Sequence, residues 1–155
     1  MVYEGKPITP NAGKIWEMVE RYKSKTLFLA PTAVRILKKT DYDGAYIKQH
    51  DLKSLELVSV LGERCDPSTI RWLHERLPNS LIMDNWWQTE SGWPIAAKMC
   101  NRKTFGPVIP TLPGSCGRLV PGYDLRVLDD DGNEVGPNEL GNIVVKQPLP
   151  PSFMQ

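Results

Sequence analysis

Three short apolar runs, at 26–29, 55–61 and 80–83, are separated by segments whose apolar residues recur at helical spacing. This alternation restricts the fold more than any other feature of the chain. Strands that alternate with helices run parallel, because a parallel pair needs a long crossover rather than a tight turn. Before the first run, Ile15, Val19 and Tyr22 share one helical face, with Glu17, Glu20, Arg21 and Lys23 between them. Thr9-Pro10 reads as an N-cap with proline at the first helical position. Ala30-Pro31-Thr32 breaks the first run, and 33–39 reads as a short helix with a basic tail. The polar stretch 41–51 reads as a loop with some helix. Asp66-Pro67 caps a further helix, with Ile70, Leu73 and Leu77 on one face.

The pattern changes at Gly114. Residues 123–128 alternate loosely, Asp130-Asp131-Gly132-Asn133 is a tight-turn signal, and 141–146 reads as a strand. The expected fold class is therefore α/β. A parallel sheet with flanking helices covers about 1–100, and an antiparallel hairpin or barrel-like segment covers about 114–147. At 155 residues and 41% apolar content the chain can bury a real core. Lys+Arg at 19 against Asp+Glu at 18 gives no basic surface that asks for nucleic acid or an anionic membrane. No apolar run approaches the roughly 18 residues of a membrane span, and Glu4 and Lys6 interrupt any signal peptide. Cys65, Cys100 and Cys116 are odd in number and widely spaced, and His50 and His74 add no zinc spacing; free thiols in a reducing compartment are expected. Prolines and glycines cluster after residue 93, so the second half should be rich in loops. The last ten residues, KQPLPPSFMQ, close neither a helix nor a strand, and the chain reads as a piece of a longer protein.

Two strand ends carry candidate chemistry. Asp84-Asn85-Trp86-Trp87-Gln88-Thr89-Glu90-Ser91-Gly92 should form a loop at the carboxyl end of a buried strand, the edge at which open α/β sheets bind ligands. There Trp86 can stack on a flat ligand, Trp87 can fill a pocket, Thr89 can donate to a phosphate oxygen and Glu90 can hold magnesium. An aromatic core cluster followed by a solvated Thr-Glu pair accounts for the same residues. The second strand end is Leu61-Gly62-Glu63-Arg64, where a glycine permits close approach of a ligand to the backbone or simply makes a turn. Elsewhere the reading is structural. Trp16 and Trp72 belong to helix cores, His50 and His74 to surface or capping positions, and Asp129 to Asp131 to a solvated turn. Ser115 and Cys116 lack a neighbouring base.

At these residues the chain resembles the AMP-forming acyl-CoA synthetases of the adenylate-forming superfamily, in particular the acetyl/propionyl-CoA synthetase branch. DNWWQTESG is similar to that branch's D-T-W-W-Q-T-E-T-G. YEGKP, APTAVR, GERCDP, GSCGRLVPGYDLRVLDDDG and GNIVVKQPLPP extend the likeness in collinear order over essentially the whole chain. The resemblance implies a partial AMP-binding domain over 1–155, with an α/β part at 1–100 and a β-rich part at 101–155. It implies that Gly62, Glu63 and Arg64 lie along an adenine, with Asp84, Asn85, Trp86, Trp87, Gln88 and Thr89 continuing the nucleotide site. Trp87 and Leu61 would bound the acyl pocket, where an indole in place of glycine leaves room for two to four carbons only. Thr89 and Glu90 would act on the phosphate and on Mg2+.

The implied substrates are ATP, a short-chain carboxylate and CoA, with AMP and pyrophosphate released and neither nucleic acid nor membrane as partner. Arg64 replaces the proline usual in strict acetyl-CoA synthetases, which makes GER more like the propionyl-preferring subgroup, and Asn85 and Ser91 each replace a threonine; acetate, propionate and butyrate are left undistinguished. The Ser/Thr/Gly-rich phosphate loop, the Tyr-x-Thr-Gly-Asp segment and the carboxy-terminal domain with its catalytic lysine are not found in the chain. An incomplete, inactive fragment is therefore expected, and a non-catalytic nucleotide-binding module is the rival. A carrier-loading domain fits the tryptophan pair poorly. The cytoplasm and the mitochondrial matrix both suit the family, and exposed sheet edges would favour self-association.

Overall fold

A computed structural model describes residues 1–98 and 112–151. Cys100 and the last four residues of the proline-rich tail lie outside that range, as does much of the stretch expected to be loop-rich. Strands β1 (Thr26–Leu29), β2 (Leu57–Val60) and β3 (Leu81–Trp86) pair in parallel, and β4 (Ala96–Ala97) and β5 (Arg118–Leu119) extend the same sheet antiparallel in the order β1-β2-β3-β4-β5. Helices α1 (Lys14–Tyr22), α2 (Pro31–Thr40) and α3 (Pro67–Arg76) precede β1, β2 and β3 respectively. A separate two-stranded ribbon pairs β6 (Asp124–Leu128) with β7 (Asn142–Lys146). The mixed α/β class and the parallel-then-antiparallel order follow the expectation.

Register decides where the core sits. Leu27 pairs with Val58 and Val58 with Ile82, while Leu29 pairs with Val60 and Val60 with Asp84. Successive side chains alternate across a strand, so these residues line one face. That face carries the core, with Ile15, Trp16 and Val19 of α1, Val34 and Leu37 of α2, and Ile70, Trp72 and Leu73 of α3 buried against it. On the opposite face Phe28 is exposed and Leu57, Leu81 and Met83 are half-buried. Trp16 and Trp72 are core residues as expected, and the Trp72 indole N–H donates to the Tyr42 carbonyl at 2.7 Å.

Several boundaries move. Thr9 does not cap α1, which starts at Lys14 after Gly13; upstream, Asn11 Oδ1 accepts the Gly13 N–H at 2.8 Å. Tyr22, expected on the same helical face as Ile15 and Val19, is exposed at the end of α1. Pro31 opens α2 instead of only ending β1, because the first helical residue needs no N–H donor and proline's φ suits it. The 41–51 stretch contains a single 3₁₀ turn, Ile47–Gln49, and the carboxylate of buried Asp41 accepts the Ala45 and Tyr46 N–H groups. His50 is half-buried, and its Nδ1 lies 2.8 Å from Glu20 Oε2. The Asp129 carboxylate accepts the Asp131 and Asn133 N–H groups, so that turn is built as expected; it returns the chain along β6 at Glu134–Val135 before β7 begins.

The α3 start shows the strongest local capping. Asp66 Oδ1 accepts from Ser68 Oγ at 2.6 Å and from Thr69 N at 2.9 Å, and Oδ2 accepts from Thr69 Oγ1 at 2.8 Å. These bonds, the Ser68 hydroxyl first, hold the Asp66 carboxyl well below the ordinary carboxylate range. Asp66→Ala is expected to cost about 1–2 kcal/mol of stability. A depressed folded-state pKa stabilises above the unfolded value near 3.9 and is lost as pH falls below it. Urea midpoints of the parent chain should therefore drop on acidification below about pH 4, and those of Asp66→Ala should drop less.

Candidate functional site

Parallel strands that start in register also end in register. Val60↔Asp84 is the last β2–β3 pair, so the turn after β2 and the β3 residues from Asn85 onward lie together at the carboxyl edge of the parallel strands. Gly62, Glu63 and Arg64 are exposed in the first turn, and Gly62 has φ +94°, a conformation that favours glycine. Leu61 is half-buried just before it, and its N–H donates to the Leu29 carbonyl.

The segment expected to be a loop from Asp84 onward is strand as far as Trp86. Asn85 and Trp86 pair with Ala97 and Ala96 of β4, and Ile95 N donates to Trp86 O at 2.8 Å. Asp84, Asn85 and Trp86 therefore sit on a rigid element, and Trp87 to Ile95 forms the connection. Trp86 and Trp87 are both half-buried, so neither ring is sealed under the sheet. Thr89, Glu90 and Ser91 make a 3₁₀ turn, with Gln88, Thr89 and Glu90 exposed. Ser91 is fully buried. Its hydroxyl accepts the Gln88 N–H at 3.1 Å and lies 2.7 Å from both the Gln88 and Trp93 carbonyls. It thereby holds the turn that presents Thr89 and Glu90, a task for which its hydroxyl, rather than the missing threonine methyl, is needed.

Asp84 and Asn85 face opposite sides of β3. Asp84 is 5% exposed, at the end of the helix-covered row. Burial pushes its carboxyl up to about 6, offset in part by its neighbour's N–H and by the Arg64 guanidinium. Asn85 is 4% exposed on the other face; its Nδ2 donates to Ser59 Oγ at 2.7 Å and to Val60 O at 3.1 Å. The Glu63 carboxylate turns toward α2, where it accepts the Thr32 N–H and the Arg35 guanidinium, each at 2.7 Å. The Thr32 hydroxyl and N–H, then Arg35, keep its pKa below the ordinary value. Thr32 and Arg35 thus enter the site as supports that sequence reasoning did not assign.

The Gly114 to Gly117 loop was also missed as part of the site. A side chain built on Gly114 would lie 3.3 Å from Pro67 and 3.9 Å from Arg64 Nη2, so this loop packs over the first turn. Cys116 senses the Asp84 charge, with burial the larger cause of its raised pKa, and burial drives the Cys65 thiol up to about 12. Gly117 has φ +97°, and any Cβ there would meet the Ala97 backbone at 2.5 Å. The spacing G-x-x-G was the available signal.

Thr89 and Glu90 offer hydroxyl and carboxylate oxygens, which suit Mg2+. No cluster of three or more His, Cys, Asp or Glu able to hold a metal exists among the described residues. Such an ion would take its remaining ligands from substrate phosphates and water, as Mg2+ commonly does.

A raised folded-state pKa at Asp84 gives stability that is full below the unfolded value near 3.9 and is lost as pH rises through about 6. Asp84→Asn should remove this fall between roughly pH 4 and pH 6. At pH 7 it should raise stability by an amount on the order of 1–3 kcal/mol, measured as urea midpoints across that range.

The family model described as AMP-binding enzyme matches residues 1–154. Propionate–CoA ligase of Escherichia coli is 43% identical over 156 residues, which is 100% of this chain and 24% of that protein. The mitochondrial acyl-CoA synthetase short-chain family member 3 of Homo sapiens is 41% identical over 157 residues, 97% of this chain and 22% of that protein. The chain thus spans about a quarter of the length of the curated relatives it matches. The crystal structure of the anthranilate CoA ligase AuaEII in complex with anthranoyl-AMP superposes with a TM-score of 0.74 at 24% identity, covering 95% of this chain and 26% of that one, which is a likeness of fold. The chain belongs to the AMP-binding enzyme family.

Proposed function

We propose that this chain carries the adenine wall, the floor of the acyl pocket and the magnesium carboxylate of an AMP-forming ligase that joins a short-chain carboxylate, acetate or propionate, to CoA. The observation that carries this reading is the convergence of the Gly62–Arg64 turn and the Trp86–Glu90 segment at one sheet edge. The names of the 41–43% identical relatives, a propionate–CoA ligase and a short-chain acyl-CoA synthetase, support it.

In the reaction, a carboxylate oxygen attacks the α-phosphorus of ATP and pyrophosphate leaves. The CoA thiol, losing its proton, then attacks the acyl carbon and AMP leaves. Gly62, Arg64, Asp84 and Gln88 belong to the nucleotide wall together with the backbones of Glu63 and Asn85, whose side chains are turned elsewhere, and the Trp86 indole lies against the base. Trp87 and Leu61 limit the acyl chain. Thr89 donates to phosphate, and Glu90 holds Mg2+, which when bound neutralises charge on the phosphates. Among the described residues, no helix is long and apolar enough to cross a membrane. Cytoplasm and mitochondrial matrix remain the proposed compartments; one relative is named as mitochondrial.

Non-hydrolysable propionyl- and hexanoyl-adenylate analogues, titrated calorimetrically into the purified chain, test the assignment. The propionyl analogue is expected to bind at least about tenfold more tightly, since each extra methylene that cannot be accommodated costs about 1–3 kcal/mol. Trp87→Gly should narrow that ratio. Equal affinity of the parent chain for both analogues, or a ratio unmoved by Trp87→Gly, rejects the pocket floor. Steady acyl-CoA formation from ATP, propionate and CoA is not expected from this chain alone, and observing it would show that the parts described suffice for turnover.

A further inference from the structure

The parallel pairing of β2 and β3 ends at Val60–Asp84, and the side chain of the next β3 residue, Asn85, reaches back onto β2. Its amide spends its hydrogens on the neighbouring strand, at Ser59 Oγ (2.7 Å) and Val60 O (3.1 Å). Asn85 and Ser59 are both buried. The Val60 carbonyl fixes the amide's orientation, because the flipped amide would set oxygen against oxygen. Asn85 Oδ1 is then left buried with no hydrogen-bond partner. An unpaired buried acceptor is a net cost to folding, so stability alone does not account for an amide at this position.

The position explains more. Val60 ends β2, and the Leu61 to Arg64 turn follows at once. Asn85 is itself followed at once by Trp86 and Trp87. One amide thus ties the base of the first candidate loop to the base of the second. We propose that the Asn85 side chain acts in positioning: turned onto β2, it does not touch the nucleotide that the Asn85 backbone lies along, but sets the separation between the Gly62–Arg64 turn and the Trp86 indole, so that a flat base fits between them. This rests on the reading that the edge receives an adenylate. A threonine, as in the D-T-W-W-Q-T-E-T-G pattern, has one hydroxyl hydrogen and cannot serve both acceptors at once.

Asn85→Thr in the 155-residue chain tests this through three measurements: the thermal midpoint, hydrogen exchange at residues 61–64 without ligand, and AMP affinity by calorimetry. The expected result is a midpoint kept close to the parent's, faster exchange at 61–64, and AMP binding weakened about three- to tenfold. Ser59→Ala removes one acceptor from the other side and should loosen the same turn to a smaller degree; it replaces Asn85→Thr if that variant fails to fold. Unchanged exchange at 61–64 overturns the latch. Faster exchange with unchanged AMP affinity overturns the positioning role. A parent chain that binds no AMP, with 61–64 still loosened in the variant, overturns the adenylate reading and upholds the latch.

Discussion

The in-register parallel pairing of β1, β2 and β3 is the constraint on which the rest depends. Leu29, Val60 and Asp84 are partners across the three strands, so the parallel pairing ends at one edge, where the turn after β2 emerges and β3 runs on for two residues against β4. The same register sends Leu27, Val58 and Ile82 to the side that the helices cover. A slip of one residue on β3 would exchange its faces. Asp84 would leave the apolar side, Asn85 would enter it, and the amide bridge from β3 to Ser59 and Val60 would be lost. Core and candidate site are thus two consequences of one alignment.

The polar groups at that edge run against the economy of a folded interior. Asp84 is buried at the end of an apolar row, with Arg64 compensating only in part. Asn85 keeps an unpaired oxygen one residue later. Adjacent residues that each cost stability, on opposite faces of a strand leading into an indole pair, are not accounted for by packing. Glu63 shows the reverse case. It reads as a ligand group beside a glycine, yet its carboxylate is engaged at the start of α2 by Thr32 and Arg35. Its contribution is to hold the turn that Gly62 and Arg64 share, and Arg64 is the residue of that turn whose charge acts on Asp84.

Much of the fold was legible because it is written in local periodicity. The alternation of apolar runs with helical faces led directly to the parallel strands, and Asp66-Pro67 led to the α3 cap. The errors came where a distant partner decides. Residues 84–86 read as loop because they are polar and aromatic, yet they are strand because Val60 pairs with Asp84, and Ala97 and Ala96 pair with Asn85 and Trp86. Pro31 read as a breaker, although at a helix's first residue the missing N–H costs nothing. Gly114 to Gly117 carried no assigned role, because only tertiary packing brings it over the 64–67 turn.

The amino-acid sequence by itself determined the helices, the three parallel strands up to residue 83, their crossover order and the residue types that gather at the strand ends, since these follow from spacing and from backbone preference within about ten residues. Tertiary structure alone decided which face each strand-end side chain takes, that Asp84 is buried while Glu63 is engaged elsewhere, and that Asn85 spans two strands. Those outcomes depend on register and on desolvation, and both are properties of neighbours 25 or more residues away in the chain, such as Val60 and Ser59 for Asn85.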